Sequence, residues 1–275
     1  MKTVLRRPMM CVGIAIVALV VIAGLLAPVI SPYEPTKVNT SARLKPPTAA
    51  HWFGTDNLGR DIYTRVLYGA RISIAVGLII TITAAVLGSA LGGLAAYYGH
   101  LPEQLIMRSV DVLIAFPVVV LAIVLAAALG GGLLSAIVAM VVVFTPRYAR
   151  LGHAQVLSLK NSGFVESAKA IGVGNGRILF NHIMRNAVDP IVVQGTLDIG
   201  FATIYTAALG FVGLGAQAPT PEWGAMVSAA RDYMTLAWWY VTFPGLAIIL
   251  SVLGWNLLGD GMSDILNPRE RSEKS

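Results

Sequence analysis

The sequence predicts an all-α integral membrane protein with six spanning helices, and three observations carry that expectation. Charge is scarce: 12% of the 275 residues are Asp, Glu, Lys or Arg, whereas 56% are apolar. A soluble domain carries about 25% charged residues, so water alone cannot be the solvent of this surface. Apolar runs recur along the chain, most of them near the roughly 20 residues that a bilayer crossing needs. A polar island at 147–189 interrupts them, too long for a connector and full of helix-forming residues. The length suits one bundle rather than several domains.

The first run, 9–30, is uncharged and follows Lys2, Arg6 and Arg7. The apolar core of a signal peptide spans only about 7–15 residues, so a retained membrane helix is expected. Residues 31–71 are polar and irregular, and Pro32, Pro35, Pro46 and Pro47 forbid a long helix there. Between 58 and 68, Leu58, Ile62 and Val66 fall on one helical face, with Tyr63 beside them. That spacing predicts a short amphipathic helix lying at the interface. Further apolar runs are 72–98, 112–129, 133–145, 191–215 and 238–258. Gly130-Gly131-Gly132 predicts a tight turn between the third and fourth. The fourth is short, so its helix is expected to continue through Arg147 into the island. The chain thus divides into 1–71, an N-terminal helix and extracytoplasmic segment; 72–264, a five-helix core carrying the 147–189 loop; and 265–275, a cytoplasmic tail.

Basic residues orient the bundle. With the N-terminus inside, segments 1–8, 99–111, 146–190 and 259–275 are cytoplasmic and hold 13 of the 20 Lys and Arg. That bias predicts both termini and the island on the cytoplasmic side. Trp238, Trp239 and Tyr240 then fit an aromatic belt at the opposite face. Asp198, about three turns into the fifth span, is a functional candidate by default, because an ionisable group at that depth is costly in lipid. It either faces a partner helix or the wet end of a pore, or it contacts a substrate.

Several chemistries are excluded. The net charge of +6 comes with no basic-aromatic patch, so a nucleic-acid partner is not expected. One cysteine, Cys11, excludes an intrachain disulfide. No phosphate-cradling Gly-rich loop with Lys-Ser/Thr exists, nor a His-Glu-x-x-His pair, nor a Gly-x-Ser-x-Gly elbow. His51, His100, His153 and His182 are scattered, so no metal site, catalytic residue or bound cofactor is expected. Several ionisable residues near the midplane, the usual mark of an ion-coupled transporter, are absent too.

Within the island, Asn161-Ser162-Gly163 is expected to break the fourth helix and cap a new one, with Glu166 in its first turn. Residues 164–171 would form that helix, with Ser167, Ala168 and Ala170 as a small-residue face. Gly172 suits the left-handed position that ends a helix. A compact knob of this kind fits a groove on another protein. A helical segment 177–188, with Arg177, Asn181 and Arg185 on one face, leads to a start signal for the fifth span at Asp189-Pro190.

Glu166-Ser167-Ala168 followed by Gly172 resembles the EAA motif of permease subunits of ATP-binding-cassette importers. The other matches are Gly54-Thr55-Asp56 with Gly59-Arg60-Asp61, Tyr68-Gly69-Ala70-Arg71-Ile72-Ser73, 211–215, Pro219-Thr220-Pro221 with Trp223-Gly224, and Asn256-Leu257-Leu258-Gly259-Asp260-Gly261. In that order they resemble the C-type permease of the dipeptide, oligopeptide and nickel importers. The resemblance implies a type I importer permease fold with a cytoplasmic coupling helix and a first helix packed outside a five-helix core. It also implies a prokaryotic inner-membrane location and no catalysis by this subunit. The partners implied are a sister permease, two cytoplasmic ATPases that bind the ATP, and an extracytoplasmic substrate-binding protein. Glu166, Ser167, Ala168 and Gly172 would belong to the helix that docks on an ATPase. The chain departs from the pattern at Ser167 for Ala, at Met184-Arg185 for Leu-Pro, at Thr206 for Glu and at Asp198 for a small residue. Asp198 and Thr206 are the candidates for the translocation path. Peptides are the expected cargo, with nickel or another small solute, or a stand-alone secondary transporter, as alternatives.

Overall fold

The computed structural model describes residues 8–266, all helices, turns and irregular segments. The basic residues Lys2, Arg6 and Arg7, and tail residues 267–275 with Arg269, Arg271 and Lys274, lie outside the described residues. The helices are α1 (Pro8–Leu25), α2 (Ala27–Ile30), α3 (Ile62–Tyr98), α4 (His100–Ile114), α5 (Val118–Ala128), α6 (Leu133–Leu159), α7 (Gly163–Ala170), α8 (Asn175–Arg177), α9 (Met184–Asn186), α10 (Val188–Phe211), α11 (Trp223–Ala230) and α12 (Trp238–Leu266). Among the described residues, α1, α3, α6, α10 and α12 are each long and apolar enough to cross a membrane. Helices α4 and α5 pass the same test of length and composition only as a pair, bent by 99° between them, which makes them a broken sixth span or a re-entrant loop.

That bend falls inside the run 112–129, expected as one span: α4 already begins at His100 and ends at Ile114, and α5 starts at Val118. Pro117 is the cause, standing at the N-cap of α5. A proline has no N–H to donate and disfavours helical geometry in the residue before it, so the helix stops and restarts in another direction. The expected surface helix over 58–68 is corrected. Asp61 caps α3, its carboxylate accepting the Thr64 N–H at 2.8 Å. From Ile62 the helix runs unbroken to Tyr98, through 71–72. At 37 residues it is about 55 Å long, so it outreaches a hydrocarbon layer of about 30 Å. Its first turns are buried rather than floating on lipid: Ile62 is fully covered and Leu67 nearly so.

The fourth helix does continue into the island, as α6, and Gly130, Gly131 and Gly132 all take positive φ in the turn before it. The central core lies between α3, α5, α6 and α10, around Ile80, Met140, Tyr148 and Leu209. Small residues let α3 and α6 meet almost backbone to backbone along Gly88, Gly92 and Gly152. Helix α1 packs on α12 and α3 and leaves Met9, Leu19 and Leu25 outward, the layout expected of an N-terminal helix outside a core.

A second core joins the 31–61 segment to α3, α11 and α12 at the end opposite the island. Asp56 holds Arg60 Nε at 2.6 Å, and the Arg65 guanidinium donates to Pro35 O and Pro219 O. Trp239 donates to Thr55 O, and Tyr240 to Asn57 Oδ1. Trp223 sits against Gly69, where a Cβ would come within 2.6 Å of the indole, and donates to Val66 O. The scattered Gly-Thr-Asp, Gly-Arg-Asp and Pro-Thr-Pro motifs are therefore one plate, held by charge pairs and backbone acceptors.

Glu222 belongs to that plate, and nothing in the sequence marked it. It caps α11, accepting the Gly224 and Ala225 N–H groups at 2.9 and 2.8 Å, with Ser73 Oγ at 3.3 Å. Burial pushes its carboxyl above the ordinary range, and those hydrogen bonds oppose the rise. A raised folded-state pKa means that the native state holds the proton longer than the unfolded chain. Stability is therefore expected to be full below the unfolded value and to fall as pH rises from there through the folded pKa. Thermal melts from pH 4.5 upwards should show that decline, and Glu222→Gln should flatten it.

Candidate docking helix and buried charge cluster

Helix α7 is a two-faced element. Ser162 takes extended backbone geometry before it, and the Ser162 carbonyl accepts the Val165 and Glu166 N–H groups. The expected side-chain cap is absent: Ser162 Oγ donates back to Leu159 O instead. At the other end, Gly172 has φ +79°, its N–H donates to Lys169 O, and the Val173 N–H donates to Ala168 O. This paired bonding satisfies carbonyls that the helix end would otherwise orphan.

Val165 and Ala168 are buried on one face, in a small core with Ala96, Val156, Ile178, Leu179 and Ile183. That core fastens α7 to the ends of α3 and α6, while Lys160 Nζ donates to Ala96 O and Tyr97 Oη to Asn175 Oδ1. Of the motif residues, Glu166 and Ser167 are exposed and Ala168 is turned inward. The small-residue face is thus split, since Ala170 is exposed as well. Beside them Phe164 is 41% and Ile171 81% exposed. A single acid and two bare apolar side chains on a rigidly anchored helix make a surface suited to a partner rather than to water.

Residues 175–186 form a continuous but irregular helix. The turn Ile178–Ile183 is wound as a π-helix between α8 and α9, so the segment is not the regular helix expected over 177–188. Arg177, Asn181 and Arg185 do share an exposed face. Helix α10 begins at Val188, with Asp189 in its first turn, slightly ahead of the expected Asp189-Pro190 start.

Gly172 offers a clean test of this geometry, because no atom lies within 4 Å of where its Cβ would be. Gly172→Val is expected to cost about 1–2 kcal/mol through backbone strain alone, and Gly172→Asn much less. Protease nicking around 171–175 should rise in the valine variant and stay near wild type in the asparagine one.

Asp198 is fully buried in α10 and faces α6. Arg147 Nη1 donates to its Oδ1 at 2.7 Å and Gln194 Nε2 at 3.0 Å. Asp198 Oδ2 and the Tyr148 hydroxyl are both buried without a well-formed hydrogen bond, and the two groups interact. Thr206 is placed elsewhere: it is buried, and its hydroxyl donates to Ala202 O and Thr203 O on its own helix. Nearby, Arg150 pairs with Asp111 and His153 with Glu103, each at 2.7 Å, tying α6 to α4. These partners lie tens of residues apart in sequence, so periodicity could not have found them. Among the described residues no group of three or more His, Cys, Asp or Glu is placed to hold a metal ion.

Comparison with known proteins bears on the family and the fold. A family model described as the binding-protein-dependent transport system inner membrane component matches residues 84–272, and one for the N-terminal transmembrane domain of oligopeptide transport permease C matches 1–47. The chain is 45% identical to the dipeptide transport system permease protein DppC of Alkalihalophilus pseudofirmus, over 98% of this chain and 89% of the relative. It is 42% identical to the probable D,D-dipeptide transport system permease protein DdpC of Escherichia coli, over 98% and 90%. A glutathione transport system permease protein of Pectobacterium atrosepticum is 43% identical over 94% and 86%. The fold is similar to a chain of the MetNI methionine ABC transporter, solved in inward-facing conformations, with TM-score 0.58, 20% identity and coverage of 74% and 96%.

Proposed function

Since the chain belongs to the family of binding-protein-dependent transport system inner membrane components, we propose that it forms half of the path by which short peptides enter the cell, driven by ATP hydrolysis in separate subunits. The observation that carries the coupling part of this reading is the two-faced α7, anchored by Val165 and Ala168 and bare at Glu166, Ser167 and Ile171. Ala168 and Gly172 shape the helix; Glu166 and Ser167 meet the partner. The cargo follows from the relatives, whose names specify dipeptides, D,D-dipeptides and glutathione across nearly the whole chain.

In this reading the island lies on the cytoplasmic side, with both termini, and the 31–61 plate faces the substrate-binding protein. The remaining partner is a sister permease that completes the path. The chain itself binds no cofactor and catalyses nothing; ATP sits in the ATPases. When these close on ATP, α7 moves with them, and its small core transmits the movement to α3 and α6.

Reversing charge at Glu166 tests the reading. Losing one docking contact worth about 2 kcal/mol weakens an interface roughly thirtyfold. Glu166→Lys is therefore expected to shed ATPase subunits during purification and to abolish most dipeptide uptake in reconstituted vesicles, while the permease pair stays folded. Unchanged assembly together with unchanged uptake would refute the role of Glu166. A wild-type complex that never contains an ATP-hydrolysing subunit would refute the importer reading itself.

A further inference from the structure

A cavity of about 270 Å³ opens between the bent pair α4–α5, α6 and α10. Ile114, Val118, Phe144 and Tyr205 form its apolar walls, and Arg147 and Arg150 also line it. Phe144 and Tyr205 meet edge to face, 6.0 Å between centroids, which gives the cavity one aromatic wall. Arg147 lies 14 residues beyond the start of α6, about 21 Å along it, so both guanidinium groups sit inside the island half of the span. Cations there are costly in lipid and call for a polar purpose.

Each guanidinium is steadied by one carboxylate and not consumed by it. Arg147 gives Nη1 to Asp198 Oδ1 and Arg150 gives Nη2 to Asp111 Oδ1, both at 2.7 Å. A guanidinium has five N–H donors, so most remain for another acceptor. In the first pair the carboxylate is fully buried and the arginine 55% exposed, so the positive member faces outward; Arg150 is 52% exposed. The cavity therefore offers fork-shaped cationic donors beside an apolar and aromatic wall. The matching ligand is a carboxylate with one hydrophobic side chain beside it.

We propose that this cavity is a transient subsite for the C-terminal residue of a transported peptide. Arg147 and Arg150 take its carboxylate, and the Phe144–Tyr205 wall takes its side chain. The proposal rests on the peptide reading above. At about 270 Å³ the cavity is smaller than the roughly 300–1,000 Å³ of sites for drug-sized ligands, so it holds one residue rather than a whole peptide. Half-exposed arginines bind weakly, which suits a site that cargo must leave.

The test uses the complete permease–ATPase complex in phosphatidylcholine vesicles without the binding protein, so that selection by that protein plays no part. A dipeptide ending in a diazirine leucine, as free acid and as C-terminal amide, is photolysed and the label is mapped. The acid is expected to label the segments around Val118, Phe144 and Tyr205 at least about fivefold more than the amide. Arg150→Gln should reduce acid labelling to the amide level, and Arg150→Lys should restore part of it. The Arg150–Asp111 pair is half exposed, so its loss leaves the fold intact. Equal labelling by acid and amide, or labelling indifferent to Arg150→Gln, overturns the subsite. Labelling lost when half of the lipid is phosphatidylglycerol assigns the cavity to a lipid phosphate and also overturns it. Uptake of the parent dipeptide, measured with the binding protein restored, separates the two readings. Normal uptake with equal labelling sinks the subsite alone, and no uptake sinks the peptide reading and the subsite with it.

Discussion

Gly92→Val is expected to leave almost no folded protein in the membrane. A Cβ at Gly92 would sit 1.8 Å from Ala149 O and 2.8 Å from His153 N, and one at Gly88 would sit 2.4 Å from Thr145 O. These are backbone atoms of α6, which no rotamer change can move aside. Overpacking an adaptable core costs about 1–3 kcal/mol, and here whole helix axes must separate, so the loss should exceed that range. The α3–α6 contact carries the central core and also the small core beneath α7. Opening it would loosen α7 along with the bundle. Gly163→Ala is the control, because nothing lies within 4 Å of that position. Its melting temperature in detergent should match wild type within about 0.5 kcal/mol of stability, whereas Gly92→Val should aggregate on extraction. A monodisperse Gly92→Val protein would show that α3 and α6 do not meet as described.

The Arg147–Asp198 pair should respond unequally to loss of its two members. Asp198 is fully buried and Arg147 is about half exposed. Arg147→Met strands a carboxylate with only Gln194 still donating to it, at a cost of about 3 kcal/mol. Asp198→Leu leaves a half-exposed guanidinium, whose other N–H donors open on the cavity, rather than a fully buried charge, and should cost less, about 1 kcal/mol. The double variant removes both charges, so it should recover most of what Arg147→Met loses. Melting temperatures of the four proteins give the coupling directly. Equal losses that simply add would show that the two groups do not depend on each other.

Much of this architecture was legible because the bilayer demands long apolar helices, and such runs declare themselves in sequence. The errors came where an average hid a single residue. The run 112–129 is apolar throughout, yet Pro117 both lacks a donor and disfavours helix before it, which is why α4 and α5 part at a right angle. Ile62 and Val66 do lie on a helix, but Leu58 stands exposed in the turn before it, and with no breaker ahead of the next run Asp61 caps the whole 37-residue helix. The island was legible in its punctuation: Gly172 takes the left-handed backbone its position suggested. Which way α7 faces was legible only in part. Val165 and Ala168 are three apart and both turn inward, a spacing that could have separated Ala168 from the exposed Glu166 and Ser167. The charge cluster was not legible at all, since Arg147 finds Asp198 51 residues away through the packing of α6 on α10.

The account stands on α7 being the surface through which ATP hydrolysis reaches this chain. A cysteine-specific cross-linker tests that most directly, with Cys11→Ser as the background so that each introduced thiol is alone in the permease. In the intact importer, Ser167→Cys on the exposed face should cross-link to an ATPase subunit, with a yield that changes when ATP is added. Val165→Cys, buried beneath the same helix, should not. An importer that hydrolyses ATP and transports peptide, yet gives no ATPase adduct from Ser167→Cys, would contradict the account.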